Sequence, residues 1–560
     1  MRHLKIILII ISVSFLIVSC GKKEKADATK SDDPFALADS LTFKALYDSS
    51  NSILLSQLEK FSADSNYGFY IDAVNRIAAN YRKVANYDGA FAYVTKAIEI
   101  SETRRDTVNL HIAQTYYLLG LMYKDYQISK DALLYLNKSL KIRETLLPEN
   151  DPLIGDVYNN IGVIYYIKGD LEKAGKYFHE ALKLRKQRGF FDKSVGSTYM
   201  NLGNIYSDLN DITKSLAYFD TALTIQKKVL GNNHPAVGSI LHNIAGDYNS
   251  IGEIDSSLVY YKRALKIYKN VFGENHPLVA NVYNNIGLYY KSVGDYENAI
   301  NFFENSVKIK KKLGAAFKKE LIDNYANIGM VYRLLKNYDL SIEAYKKALR
   351  IIEERENDFS VKKFANVARG LSLTYKSAGK NELALATIRE AVRRAEESSG
   401  KDDFLPFRTK IFLSSVLNKT GGYGESIKNS KECVEFFKSK NDVIWLVFAY
   451  ELLAEGYLMN EEFVQTLAAL DSLEVLLSDG KSGKFDINKI NSYSDVNAML
   501  SETLGFAGKA CSALFEKTEN RKRKISRPLA RYLFDNRKTV CRRIRKHFDR
   551  VVQNNGRGKN

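Results

Sequence analysis

The 560-residue chain is short of the residues that interrupt helices and of those that staple small folds. Seven prolines are few for this length, so long helices face little obstruction. The four cysteines, Cys20, Cys433, Cys511 and Cys541, form no short-spaced pair, which excludes a zinc framework and offers no disulfide scaffold. The apolar run from Ile6 to Val18 is 13 residues, too short to cross a bilayer as a stable helix. HExxH, GxSxG and Gly-rich phosphate-loop patterns are all missing, so the usual sequence marks of metalloprotease, serine hydrolase and nucleotide chemistry are not there. Balanced charge is missing too, but only locally. The net charge is +18, and residues 516–560 hold 16 Lys/Arg against 4 Asp/Glu. The remaining 515 residues carry about +6, ordinary for a solvated surface.

What is present is a ruler. Residues 276–306 read HPLVANVYNNIGLYYKSVGDYENAINFFENS, with Gly287, Tyr290, Gly294, Ala299 and Phe303 at offsets that recur along the chain. Anchoring each copy on its equivalent of Tyr290 gives Tyr81, Tyr123, Tyr165, Tyr206, Tyr248, Tyr290, Tyr332 and Tyr375, spaced by 42, 42, 41, 42, 42, 42 and 43 residues. Each unit reads as two helices and a tight turn. In the unit of Tyr165, helix A is expected over Leu153 to Ile167, the turn at Lys168-Gly169-Asp170, and helix B from Leu171 through Ala174, Phe178 and Ala181. Small residues recur nine and sixteen positions past the anchor, where a large side chain would hold the helices apart. Glycine four past the anchor (Gly169, Gly252, Gly294, Gly379) suits the left-handed end of a helix. Neither helix alone buries its apolar stripe, so neighbouring units supply the core.

These positions resemble the tetratricopeptide repeat, whose usual period is 34 residues. The 42-residue unit is similar to the long repeats of kinesin light chains and to the arrays that precede caspase-like CHAT domains in bacteria. The resemblance implies an all-α fold, a right-handed α-solenoid of about eight clear repeats over 65–400. Two degenerate ones follow over 401–480: one carries Leu417, Gly421, Ser426 and Cys433, the other is anchored at Tyr457. A leading helix is expected over 35–64 and terminal helices over 481–515.

The start of the chain carries a second resemblance. A basic beginning, the apolar run and Ile17-Val18-Ser19-Cys20 resemble the lipobox of bacterial lipoproteins. That implies a signal peptide over 1–19, cleavage before Cys20, acylation of Cys20, and a flexible tether over 20–34. The expected location is a bacterial membrane, the outer membrane by the residue after the cysteine, with the array periplasmic or surface-facing.

Binding is expected rather than catalysis, with no enzyme activity, cofactor or metal. His234 and His276 sit in inter-repeat His-Pro turns with no ligand repeated in register, and a capping role outweighs metal binding. Asn160, Asn201, Asn243, Asn285 and Asn327 each lie five residues before their anchor. A side-chain amide can donate to and accept from a peptide backbone, and in the family such asparagines bind extended peptides. The alternative is that they hydrogen-bond the adjacent helix and only hold the fold. Asn159, His242, Asn284, Lys291 and Arg333 are expected to share the groove. The function expected is a membrane-anchored scaffold that binds protein or peptide partners, with no nucleic acid. The alternative is the sensing half of a CHAT-type protease system without its catalytic domain. Residues 516–560 break the pattern. They read as a basic arm, as a disordered end, or as a frameshifted remnant in which Lys-Asp and Lys-Glu codons of an AT-rich gene yield arginine out of frame.

Overall fold

Two contacts made in nearly every repeat explain why the sequence keeps its register. Three residues before the anchor, helix A carries a glycine at the point where helix B crosses it. A Cβ on Gly162, Gly203, Gly287 or Gly329 would fall 2.8, 2.6, 2.7 and 2.8 Å from the rings of Phe178, Phe219, Phe303 and Tyr345. Those rings stand thirteen residues past the anchor and are at most 2% exposed. The anchor itself works at the surface of that contact. Its ring stacks on the aromatic twelve residues later: Tyr123 on Tyr135, Tyr165 on Tyr177, Tyr206 on Tyr218, Tyr248 on Tyr260 and Tyr290 on Phe302, with centroids 5.2 to 5.5 Å apart. Such offset pairs add roughly 0.5–1.5 kcal/mol beyond the area they bury.

The turn between the helices is set by the backbone. In all eight clear repeats the anchor's carbonyl accepts the N–H five residues on, as in Asp170 N to Tyr165 O at 3.0 Å and Lys380 N to Tyr375 O at 2.9 Å. That bond needs a left-handed residue four past the anchor. Glycine supplies it at Gly169, Gly252, Gly294 and Gly379, but Ala85, Gln127, Asn210 and Lys336 adopt it too, at φ 59 to 61°. The next residue caps helix B: the side chains of Asn86, Asp170, Asp211, Asp295 and Asn337 each accept a backbone N–H of its first turn.

The computed structural model describes residues 35–43, 46–60, 66–314, 317–354, 361–398, 400 and 403–478. The signal peptide, Cys20, the tether, the terminal helices over 481–515 and the basic tail with Cys511 and Cys541 lie outside the described residues. Twenty-two α-helices and no strand occur among the described residues, and consecutive helices pack as pairs. The class is all-α, as expected. The repeat of Tyr165 runs Pro152–Lys168 and Leu171–Arg185, with Gly169 in the left-handed conformation between them. The leading segment differs from expectation. It forms two helices, Ala36–Phe43 and Tyr47–Lys60, which put Phe35, Ala38 and Leu54 against Ala73 and Ile77 of the next helix.

The chain divides into two compact units, 1–282 and 283–560. Within each, small residues let the helices close. Ala174, Ala181, Ser215, Ala222, Ser257 and Ala264 in the first, and Ala299, Ser306, Ser341 and Ala348 in the second, are at most 1% exposed. Where the small residue is serine it also anchors: Ser215, Ser257 and Ser341 donate to the carbonyls of Gly203, Ala245 and Gly329 at 2.7 to 2.8 Å. The eight residues beyond the usual period lengthen helix B, and one position there, twenty past the anchor, ties the hairpin to its neighbour. Arg143 donates to Leu153 O and Gln114, Arg185 to Asp156 and Thr198, Gln226 to Lys193 O, and Tyr268 to Ser239. Lys310 does the same in the second unit, to Asn324.

Two substitutions test this construction. Gly203→Ala forces its methyl onto a buried ring; overpacking outweighs the helix-propensity gain, and local stability falls by about 1–2 kcal/mol. Gln127→Gly relieves a left-handed side chain and raises stability by about 1 kcal/mol. Amide exchange over 193–230 and 110–146 reads the two changes separately.

Candidate functional site

The asparagine row lies on the A helices and its amides point along the stack. In the first unit Asn201 Nδ2 donates to Asn159 Oδ1 at 3.1 Å, and Asn243 Nδ2 to Asn204 Oδ1 at 2.8 Å. Asn160 is held on both sides: Nδ2 donates to Tyr117 Oη at 2.9 Å and to Asp156 O at 3.0 Å, and Oδ1 accepts from Lys124 Nζ at 2.8 Å. In the second unit Asn327 Nδ2 donates to Asn284 Oδ1 at 3.2 Å, and Asn285 Oδ1 accepts from Asn284 Nδ2 at 3.4 Å. The donor half of Asn160, Asn201, Asn243 and Asn327 is thus spent inside the fold. The carbonyl oxygens of Asn201, Asn243 and Asn327 carry no protein donor among the described residues. Asn201 and Asn243 are 8% and 9% exposed, so what they show to solvent is a row of acceptors at the base of the A-helix face.

The residues expected beside them are placed as follows. Asn159 and Asn284 are buried and serve as acceptors for the next repeat. His242 is buried edge-on against Tyr261, centroids 5.2 Å apart. Lys291 and Arg333 are half-buried, and Lys291 Nζ reaches Met330 Sδ at 3.6 Å.

Sequence reading missed a buried ionic group in the first unit. Arg82 Nε and Asp125 Oδ2 pair at 2.7 Å with both side chains under 10% exposed. Lys124 lies beside them, and desolvation pushes its ammonium down to about 8. The available signal was position: Arg82 and Lys124 each follow an anchor tyrosine directly. A His–Asp contact, His111 Nδ1 to Asp72 Oδ1 at 2.7 Å, raises the imidazole through that hydrogen bond. Its other edge faces Gly68, whose Cβ would fall 2.8 Å from Nε2. Cys433 is fully buried, its Sγ donates to Phe407 O at 3.4 Å, and burial pushes the thiol up to about 12; such a thiol is inert. No group of three or more His, Cys, Asp or Glu among the described residues is placed to hold a metal ion. No helix among them is long and apolar enough to cross a membrane.

Models of the tetratricopeptide repeat family match residues 155–187 and, in overlapping placements, 194–270, 237–312 and 320–397. These segments are tetratricopeptide repeats. Solved structures similar to the chain include a tetratricopeptide repeat protein from Parabacteroides merdae, 17% identical over 54% of this chain and 98% of that one, TM-score 0.37. BtubC from P. vanneervenii is 19% identical over 44% and 92%, TM-score 0.35, and the apo form of RapI is 15% identical over 51% and 98%, TM-score 0.40. No curated protein matches the sequence.

The His-Pro turns of this tetratricopeptide array are caps. His234 Nδ1 accepts the N–H of Ala236 at 3.1 Å, and His276 Nδ1 that of Leu278 at 3.2 Å; each helix then begins with proline, whose missing N–H costs nothing there. An accepting Nδ1 cannot carry a proton, and His276 is stacked on Phe272 at 4.1 Å. Desolvation lowers His234 and brings His276 to about 4 from an ordinary 6.5. With the folded value below the unfolded one, these caps stabilise fully above about pH 6.5, and the contribution is lost as pH falls toward 4. His111 has the opposite sign, its contribution lost as pH rises. His234→Asn with His276→Asn keeps an acceptor that does not titrate. The double variant therefore loses less melting temperature than the parent between pH 7 and pH 4.5. Identical losses would remove the caps from the account.

Proposed function

We propose that the chain is a scaffold that holds extended segments of partner proteins against its A-helix faces, anchored to a bacterial envelope membrane through acylated Cys20. The observation that carries the binding half is the row of asparagine carbonyl oxygens at Asn201, Asn243 and Asn327, left without protein donors after their amides are spent on the neighbouring repeat. A polypeptide laid across the A helices brings backbone N–H groups that need such acceptors. The anchoring half rests on the lipobox-like Ile17 to Cys20, since two or three acyl chains hold a protein far more firmly than one. Partners then meet the array as it projects from the membrane on residues 20–34.

Site-specific photocrosslinking in the cell of origin tests both halves. A crosslinker at Asn249, exposed on an A helix, is expected to capture discrete partners from the membrane fraction, and one at Val259, exposed on a B helix, is not. Cys20→Ser should move the chain out of that fraction. Capture at Val259 alone would refute the binding face, and an unchanged membrane fraction would refute the anchor.

A further inference from the structure

The position directly after the anchor is treated differently in the two units. In the first it reads Arg82, Lys124, Tyr166 and Ser207, and each is answered from a neighbouring A helix. Arg82 pairs with Asp125, Lys124 donates to Asn160, Tyr166 Oη donates to Asp208 Oδ2 at 2.6 Å, and Ser207 donates to Asp247. Two of the acids, Asp125 and Asp208, stand two past an anchor. In the second unit the same position reads Lys291, Arg333 and Lys376, but two past the anchor stand Ser292, Leu334 and Ser377, with no carboxylate to give. Lys376 Nζ donates instead to Ser415 Oγ at 3.0 Å. Arg333 Nε is enclosed with no hydrogen-bond partner at all, a costly state for a charged donor.

The imbalance covers the whole face. A-helix residues of the first unit, 67–83, 110–125, 152–168, 193–208 and 235–250, hold six Lys/Arg and five Asp/Glu. Those of the second, 283–292, 318–334, 361–377 and 404–420, hold eleven Lys/Arg and two acids, Glu320 and Asp323. Neither acid is available: Asp323 is bound by Lys363 at 2.8 Å, and Glu320 is buried near Lys310. This face is built to receive negative charge from outside.

Spacing narrows the partner. Adjacent A helices of this unit touch, as Lys376 reaching Ser415 and Arg369 lying 4.7 Å over the Phe412 ring show. Packed helices lie about 10 Å apart, so the row presents one cation about every 10 Å. A polyproline II strand advances about 3.1 Å per residue with three residues per turn, and returns a side chain to one side about every 9 Å. A β-strand, with its period of two, cannot match that step on one face. Lys291, Arg333 and Lys376 are half-buried, within reach of a single strand and poorly placed for a flat bilayer.

We propose that the A-helix face of residues 283–420 holds an acidic polypeptide segment in polyproline II conformation, with a carboxylate at every third residue set on Lys291, Arg333 and Lys376. Arg333 takes the central carboxylate through its enclosed Nε and a neighbouring Nη, the bidentate pairing a guanidinium favours. The proposal rests on the reading of the A-helix faces as peptide-binding. It adds the charge, conformation and period of what binds this unit.

The test uses the full chain and fluorescein-labelled peptides in anisotropy at low and physiological salt. A peptide of four Glu-Pro-Pro units should bind, and a peptide of the same composition with its glutamates contiguous should bind at least tenfold more weakly. Arg333→Gln should weaken the first peptide about tenfold, and Arg333→Lys should restore part of it, with circular dichroism unchanged in both. Equal binding of the two peptides overturns the period. An unaffected Arg333→Gln overturns the site. Vesicles containing phosphatidylglycerol that bind while neither peptide does would assign the face to lipid. Partner crosslinks at Asn249 together with silent peptides would refute this proposal and leave the scaffold reading standing.

Discussion

The close approach of helix A to helix B at a glycine is the constraint on which the rest of each repeat depends. An aromatic ring lies where a Cβ on Gly162, Gly203, Gly287 or Gly329 would be, and that separation fixes everything measured from it. It sets the anchor tyrosine over the aromatic twelve residues on, at near-constant centroid distance. It also lets the serine hydroxyls of Ser215 and Ser341 reach the opposite carbonyl. The repeat is therefore a packing solution reached several times, each copy needing its neighbour to bury what the hairpin leaves open.

On that scaffold the polar residues divide into those that hold the stack and those it offers. The amide nitrogens of the asparagine row, the Arg143 and Arg185 ties and the buried Arg82–Asp125 pair belong to the first kind. A buried ion pair recovers little net stability after desolvation, but it forbids other registers, since a slipped repeat would strand a charge. The asparagine carbonyls and the cations of the second unit belong to the second kind. The same site in the repeat thus serves cohesion in one unit and recognition in the other.

Much of this was legible in the sequence because it is periodic. The anchors, the small residues nine and sixteen positions on and the turn glycines all recur, and recurrence separates a constraint from chance. What was not legible lay outside the period or behind a residue substitution. Gln127 and Lys336 adopt the glycine conformation without being glycine, because the tyrosine carbonyl bond holds the turn whatever side chain is there. The leading segment breaks into two helices, which the run of apolar residues alone does not signal. The direction of the asparagine amides was undecidable from sequence, since a residue five before the anchor can face the neighbouring helix or the solvent. The structure shows that it does both, with different atoms.

Amide hydrogen exchange on the full chain, read residue by residue, tests most directly the claim that one close contact organises every repeat. The account predicts protection that rises and falls with the 42-residue period. Maxima should lie three residues before each anchor and thirteen after it, and minima at the turns between helices. Protection that declines smoothly along the chain, or peaks without relation to the anchors, would contradict it.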